Sequence, residues 1–385
     1  MHITEEWKKL TDAQKVVVKV GSSTLTHETG NLNLERMELL VRQLVDLKNQ
    51  GREVILVTSA AVGAGMGRLN IAERPTEISA RQALAAIGQG ILMHIYEKFF
   101  SEYGVAVAQV LLTKDDLADR HRFLNARNTL RQIMTYGAVP IINENDTVAF
   151  DQIKVGDNDT LSAMVAGLVD ADLLILLSDI DGLYTNDPRK DNDAARIPLV
   201  EDITPEIEAL AGGEGGKFAS GGMVTKIAAA RIAVTQGIPM VLTNGSQRDC
   251  LRFLNRAEND WDPEKNPAGT LFLPKTHSMG SRKGWLAFST RPAGVIFVDG
   301  GAARALLENG RSLLASGIQR VESSFQRGEV VEIRQDGGTI ARGIVNFSAG
   351  DIELIKGKHS SEIEAILGPG QEQEVIHRDN LSLWK

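Results

Sequence analysis

Up to about residue 245 the chain alternates between two textures. Short apolar runs, Val16 to Val20, Val54 to Thr58, Val105 to Leu112, Val139 to Ile142, Leu173 to Leu177 and Pro239 to Thr243, are separated by stretches with three- and four-residue apolar spacing. Leu34, Met37, Val41, Leu44 and Leu47 show that spacing within segment 34 to 49, and segments 77 to 100, 121 to 136, 159 to 170 and 222 to 236 repeat it. The spaced stretches predict helices with one apolar face; the continuous runs predict strands covered on both faces. Their alternation predicts an α/β fold with a mostly parallel sheet sandwiched by helices.

Between roughly 246 and 284 the pattern breaks. WDPEKNPAGTLFLPK carries Pro263, Pro267 and Pro274, which marks a boundary with a closing strand pair followed by a linker. From Trp285 the chain turns to short alternating strands, WLAFS, GVIFVD, GEVVEIR, TIARGIVNFS and DIELIKG, interrupted by a helical stretch from Gly301 to Glu308. This texture predicts a small, partly open β-rich barrel. The expected organisation is a first domain over residues 1–275, a second over 284–362, and a C-terminal tail over 363–385, rich in Glu and Gln and expected to be mobile.

Composition narrows the class. At 385 residues and 43% hydrophobic content, the chain is long enough for a large core and more than one domain. The net charge of −8, with the acidic excess almost wholly before residue 270, argues against bulk nucleic-acid binding; small anionic ligands need local positive charge here. A single cysteine, Cys250, excludes an intramolecular disulfide framework and a Cys-rich zinc site, and reads as a small apolar residue. MHITEEWKKL is acidic where a signal peptide needs a positive start, and no apolar run approaches the roughly 18 residues of a membrane span. The expectation is a cytoplasmic protein without a membrane partner.

Candidate chemistry clusters where strands end. VVVKVGSST places Lys19 near the carboxyl end of the first strand, with Gly21, Ser22 and Ser23 in the turn after it. Ligands bind beyond such ends, and a Gly/Ser turn aims backbone N–H groups at phosphate oxygens. No GxxxxGK[ST] follows, so this is not the P-loop, and a solvent-facing lysine after an edge strand fits the segment equally well. VILVTSAAVGAGMGRL puts Thr58 and Ser59 at a second strand end, and its glycines at 63, 65 and 67 are expected in a loop whose backbone closely approaches a ligand, although helix packing on the sheet explains the alanines. INENDTVAFDQIKVGDNDTLSA crowds Asn143, Glu144, Asn145, Asp146, Asp157, Asn158 and Asp159 around two turns, more polar groups than one helix cap requires. LLILLSDIDGLYTNDP brings Ser178, Asp179 and Asp181 off an apolar strand, expected to touch a nucleotide or hold lysines, though Asp181-Gly182 also forms turns. FASGGMVTKIAAARIA has Gly221 and Gly222 opening a helix with Thr225 and Lys226 in its first turns, where a cation is unfavourable without an anion to receive it.

Taken together, KVGSSTL, VTSAAVGAG, INENDTV, GDNDTLSA, LLSDIDGLYTNDP and GGMVTK resemble the blocks of the amino acid kinase family, most closely its glutamate 5-kinase branch and over the whole length. Residues 285 to about 360 resemble the PUA domain that many bacterial members append. The resemblance implies ATP-dependent phosphorylation of the side-chain carboxylate of L-glutamate, the first step of proline biosynthesis, by a homo-oligomer (dimer or tetramer) that proline inhibits. It implies that Lys19 and Lys226 neutralise the phosphoryl group in flight and that Asp159 orients both. Ser59, Asp146 and Asn158 then match the glutamate-binding residues. Lys19, Ser178, Asp179 and the run Ser220, Gly221, Gly222, Met223, Val224, Thr225, Lys226 match the ATP-binding ones, with Ala219 standing where relatives commonly have Gly. Mg²⁺ is expected to enter with ATP on phosphate oxygens and water, with no protein ligand to the metal. Another family member, an aspartate or N-acetylglutamate kinase, and an RNA-binding protein acting through the PUA-like module are the alternatives. Against the latter, the module has only a slight basic excess.

Overall fold

The computed structural model of the chain describes residues 2–27, 31–149, 158–188, 190–191, 193–211, 221–255, 268–274, 292–335 and 338–383. Two compact units divide it: Met1–Asp116 with His121–Ser278, and Met279–Lys385 with Leu117–Arg120.

The first unit is built on strands β1 (Lys15–Val20), β2 (Glu53–Val57), β3 (Val107–Leu112), β4 (Val139–Glu144), β5 (Leu173–Ser178), β6 (Leu199–Val200), β7 (Met240–Asn244) and β8 (Gly269–Phe272). They form one eight-stranded sheet in the order β3-β4-β2-β1-β5-β7-β8-β6. Every pairing from β3 through to β7 is parallel; β8 runs antiparallel against β7, and β6 pairs parallel with β8, so these two strands run opposite to the rest. The strands expected from the apolar runs are therefore six neighbours in the sheet, with β3 at its edge, and β5, all six of whose residues are buried, is the clearest case of a strand covered on both faces. Flanking helices are α1 (Leu34–Asn49), α2 (Ala61–Leu69), α3 (Ile78–Ser101), α4 (Arg120–Thr135), α5 (Asn158–Val169) and α6 (Gly221–Thr235). Helix α1 follows from its sequence: Asn33 caps it by accepting from the Arg36 N–H, and Met37, Leu40, Val41, Leu44, Val45 and Leu47 make its buried face. Helix α5 is different, because every residue from Asp159 to Val169 is buried and the helix has no polar face to give water. Cys250 is buried among this core, where desolvation pushes its thiol up to about 12.

One expectation is corrected here. The glycines of VGAGMGRL do not form a ligand-hugging loop; they lie in helix α2, which packs tightly on α3. A Cβ at Gly65 would stand 2.1 Å from the Leu84 carbonyl oxygen, and one at Gly88 would stand 1.8 Å from that of Ala61 and 2.5 Å from the Gly65 nitrogen. Gly65 and Gly88 let the two backbones touch. Gly88→Ala is accordingly expected to cost about 2–3 kcal/mol, read as a lower midpoint in urea unfolding, because rigid backbone rather than a movable side chain blocks the new methyl. A midpoint equal to wild type would show that the helices separate freely.

The second unit has strands β9 (Gly294–Val298), β10 (Ile318–Glu322), β11 (Val330–Gln335), β12 (Gly338–Ile344) and β13 (Leu381–Leu383) in the order β10-β9-β11-β12-β13, with helix α7 (Gly300–Leu307) after β9. Alternation sends Ile296, Val298, Val331, Ile333 and Ala341 into its core with Phe325 and Phe347. The expected strand WLAFS lies outside the described residues. Residues 363–383, expected as a mobile tail, carry Ile363, Val375 and Ile376 at no more than 1% exposure and end in β13, paired with β12. Sparse apolar residues in a polar stretch are what hold that end. Among the described residues no helix is long and apolar enough to cross a membrane.

Candidate active site

The parallel strands bring their carboxyl ends to one edge of the sheet, and the polar residues singled out above come off those ends. Lys19 is the penultimate residue of β1, opposite Val57 of β2 and Leu176 of β5. Thr58 and Ser59 follow β2, Asn143 and Glu144 end β4, and Ser178 ends β5 opposite Asn244 of β7. A crevice at this edge is where open α/β sheets hold ligands.

Asp159, in the first turn of α5, is the centre of the charge arrangement. Its Oδ1 lies 2.5 Å from Lys19 Nζ and its Oδ2 lies 3.2 Å from Lys226 Nζ, with side-chain exposures of 1%, 7% and 11% for Asp159, Lys19 and Lys226. Thr225 Oγ1 donates to the same Oδ2 at 3.1 Å. Burial by itself would raise the Asp159 carboxyl, but the charges and hydrogen bonds of the two lysines outweigh it and hold the group below the ordinary aspartate range. The acid also sits at the positive end of a helix dipole. Two ammonium groups on one carboxylate leave an excess positive charge in a nearly dry place, which is a site for an anion.

The turns in front of the lysines leave room for one. A Cβ at Gly21 would lie 3.5 Å from Lys19 Nζ, and one at Gly222 would lie 3.7 Å from Lys226 Nζ. The Gly21 N–H is spent on the Leu177 carbonyl, 3.2 Å away. The Gly222 carbonyl accepts from Lys226 Nζ at 3.1 Å and shares the single Thr225 hydroxyl proton with Asp159, at 2.9 Å from Oγ1, which folds the start of α6 around the ammonium. Gly221, Met223 and Val224 share this first turn, with Val224 exposed; Ser220 and Ala219 lie outside the described residues. Ser178 Oγ donates to Asp179 Oδ1 at 2.9 Å beyond β5. Asp181 does not hold the lysines: it accepts from Tyr184 OH and Arg196 Nη1, both at 2.8 Å, within the hairpin that pairs Leu183–Tyr184 with Arg196–Ile197, and the lysines are held by Asp159 instead.

A second cluster is made of amides. Asn158, which opens α5, places its Nδ2 2.9 Å from both Thr58 O and Ser59 Oγ and 3.0 Å from Asn143 Oδ1, its two N–H bonds shared among the three acceptors. Its own Oδ1 is buried with no partner among the described residues. Thr58 is in turn fixed through its Oγ1, 2.8 Å from the hydroxyl of Tyr96, a wholly buried residue of α3 whose titration burial drives far upward. Asp146 stands in the loop after β4, and its carboxyl is raised above the ordinary range by burial, against the opposing pull of Arg74 and Arg81. Asp157 lies outside the described residues. Sequence reading had assigned no role to Asn143, Tyr96, Gln89, Arg74 or Arg81. For Gln89 the signal was available, an amide in the apolar stretch ALAAIGQGIL, and Asn143 stood in the polar cluster already singled out; for Tyr96, Arg74 and Arg81 nothing in the spacing pointed to the site.

Comparison with known proteins follows the same division. The sequence profile of the amino acid kinase family matches residues 14–244, and that of the PUA domain matches residues 294–367. The chain is 54% identical to a glutamate 5-kinase of Moorella thermoacetica over 97% of both chains. It is 52% identical to one from Caldanaerobacter subterraneus over 95% of this chain and 97% of that one, and 53% identical to one from Carboxydothermus hydrogenoformans over 97% and 98%.

Proposed function

Since this chain belongs to the amino acid kinase family, and by identity stands with its glutamate 5-kinases, we propose that it transfers the γ-phosphoryl group of ATP to the side-chain carboxylate of L-glutamate, yielding L-glutamyl 5-phosphate for proline synthesis. The observation that carries this reading is one buried carboxylate, Asp159, holding two lysines from distant parts of the chain at the carboxyl edge of the sheet.

In this reading MgATP lies over the turns at Gly21 and Gly222, with the Ser178–Asp179 strand end, and Ser220 through Lys226 around its phosphates. In this reading Mg²⁺ enters with ATP, on its phosphate oxygens and water, as part of the substrate. Glutamate lies against Ser59, Asn158 and Asp146, its α-ammonium facing the acid, a charge-assisted pairing that favours a free amino group over an acylated one. A side-chain oxygen of glutamate attacks the γ phosphorus, the bond to the β–γ bridging oxygen breaks, and ADP leaves. With a reference pKa of about 4.3 the attacking carboxylate is already ionised at neutral pH, so no general base is needed. Catalysis is positioning plus charge: Lys19 and Lys226 stabilise the transferring group, and Asp159 keeps both ammoniums aimed at it. Proline carries the same α-carboxylate and a cationic nitrogen, and in this reading inhibits by occupying the glutamate pocket. In this reading the protein works in the cytoplasm.

The RNA-binding alternative finds little support, because in the second unit Arg320 is paired with Glu322 and both Arg334 and Arg342 with Glu332, leaving these guanidiniums engaged within the protein. The deciding experiment measures ADP release with MgATP and, in turn, glutamate, aspartate, N-acetylglutamate, carbamate and uridine monophosphate. Turnover confined to glutamate is expected, and preferred turnover of any other acceptor would overturn the reading.

A further inference from the structure

Behind the glutamate pocket stands a run of three amides whose order is fixed by backbone groups at two points. The Glu144 N–H donates to Asn143 Oδ1 at 2.9 Å, so that end of Asn143 must be its oxygen. The Thr58 carbonyl accepts from Asn158 at 2.9 Å, so that end of Asn158 must be its nitrogen. Asn158 Nδ2 then meets Asn143 Oδ1 at 3.0 Å, and the remaining end of Asn143, its Nδ2, donates to Gln89 Oε1 at 2.8 Å. The amide senses are thus dictated by partners that cannot be reversed. The consequence falls on Asn158 Oδ1, which is buried, lacks a partner among the described residues, and is a pure acceptor.

We propose that Gln89, on helix α3, is a positioning residue for the amino-acid substrate: by clamping Asn143 it holds Asn158 with its oxygen presented to the substrate's ammonium. The inference rests on glutamate being the acceptor. Asn143 is 3% exposed, so without Gln89 its Nδ2 has no water to turn to. A buried donor left unmade is costly enough to rotate the side chain, and rotation takes Asn143 Oδ1 away from Asn158. Asn158 is then held by Thr58 O and Ser59 Oγ alone, without the third partner that sets its tilt, and its oxygen is aimed less firmly at the substrate's ammonium. Gln89 contributes through one atom. Its Nε2 is buried with no partner among the described residues, so only Oε1 connects it to the run.

That asymmetry supplies a test that packing alone would fail. Gln89→Met keeps the volume and removes the acceptor; Gln89→Glu keeps the acceptor and adds an unwelcome charge. In the full-length protein, Q89M is expected to raise the glutamate KM about tenfold while the ATP KM moves less than about twofold, and Q89E is expected to recover most of that loss. A residue that merely filled space would give the opposite order, with Met tolerated and Glu damaging. Q89M within about twofold of wild type, Q89E no better than Q89M, or equal effects on both substrates would overturn the proposal, with Gln89→Leu replacing the methionine variant should that one not fold. A wild-type enzyme without glutamate-dependent turnover would instead remove the substrate reading beneath it.

Discussion

Lys226→Ala is expected to lower kcat by about 10²- to 10³-fold with the glutamate KM changed little, because it removes charge that acts on the transferring phosphoryl group and not on the amino acid. The structure gives the reason for the size. Lys226 and Lys19 share Asp159 at 3.2 and 2.5 Å in a nearly dry site, so taking one lysine away leaves the remaining cation neutralised by that carboxylate. The site changes from net positive to about neutral, and at the effective dielectric of a partly buried pair each unit charge near 4 Å is worth about 4 kcal/mol. Steady-state kinetics with saturating MgATP reads the effect. A kcat within about threefold of wild type would mean that the ammonium is a structural partner of Asp159 and nothing more.

Asp146→Ala is expected to raise the glutamate KM roughly 30-fold while leaving the ATP KM within about twofold, the loss belonging to one charge-assisted contact with the α-ammonium. Burial already raises the Asp146 carboxyl above the ordinary range, with Arg74 and Arg81 pulling the other way. An arriving ammonium therefore meets a carboxylate that water does not satisfy. The raised value also sets a sign: as pH falls through it, Asp146 takes up a proton and glutamate binding weakens. Asp146→Asn should lack that step, so the difference between the two KM-against-pH curves isolates this group from the substrate's own carboxyl. Equal losses for glutamate and ATP would place Asp146 outside the amino-acid pocket.

Where sequence and structure diverge, the divergence has a mechanical origin. The VGAGMGRL glycines carry two signals at once, permissive backbone and small side chain, and composition does not say which is in use. The helix crossing at Gly65 and Gly88 decides it, through the carbonyl oxygens of Leu84 and Ala61, each on the other helix. Residues 363–383 read as a polar end because their buried side chains, Ile363, Val375, Ile376 and Leu381, are too few to show a period. Asp181 looked like a partner for lysines on grounds of location, yet its own hairpin supplies an arginine and a tyrosine first.

Local pattern was enough for the elements and for the edge at which chemistry would gather. A continuous apolar run states that both faces of a strand are covered, a three- and four-residue spacing states that one face of a helix is, and strands that are all parallel must open their loops at the same side. What no spacing along the chain contains is which distant groups meet. That Asp159 takes one lysine on each oxygen, that Tyr96 stands behind Thr58, and that Gln89 reaches Asn158 through Asn143 are consequences of α3, α5 and α6 packing on one sheet. Hydrogen bonds and ion pairs act over about 3 Å of space whatever their distance in sequence, so only the folded arrangement could choose among the polar residues that the sequence had merely brought to the same edge.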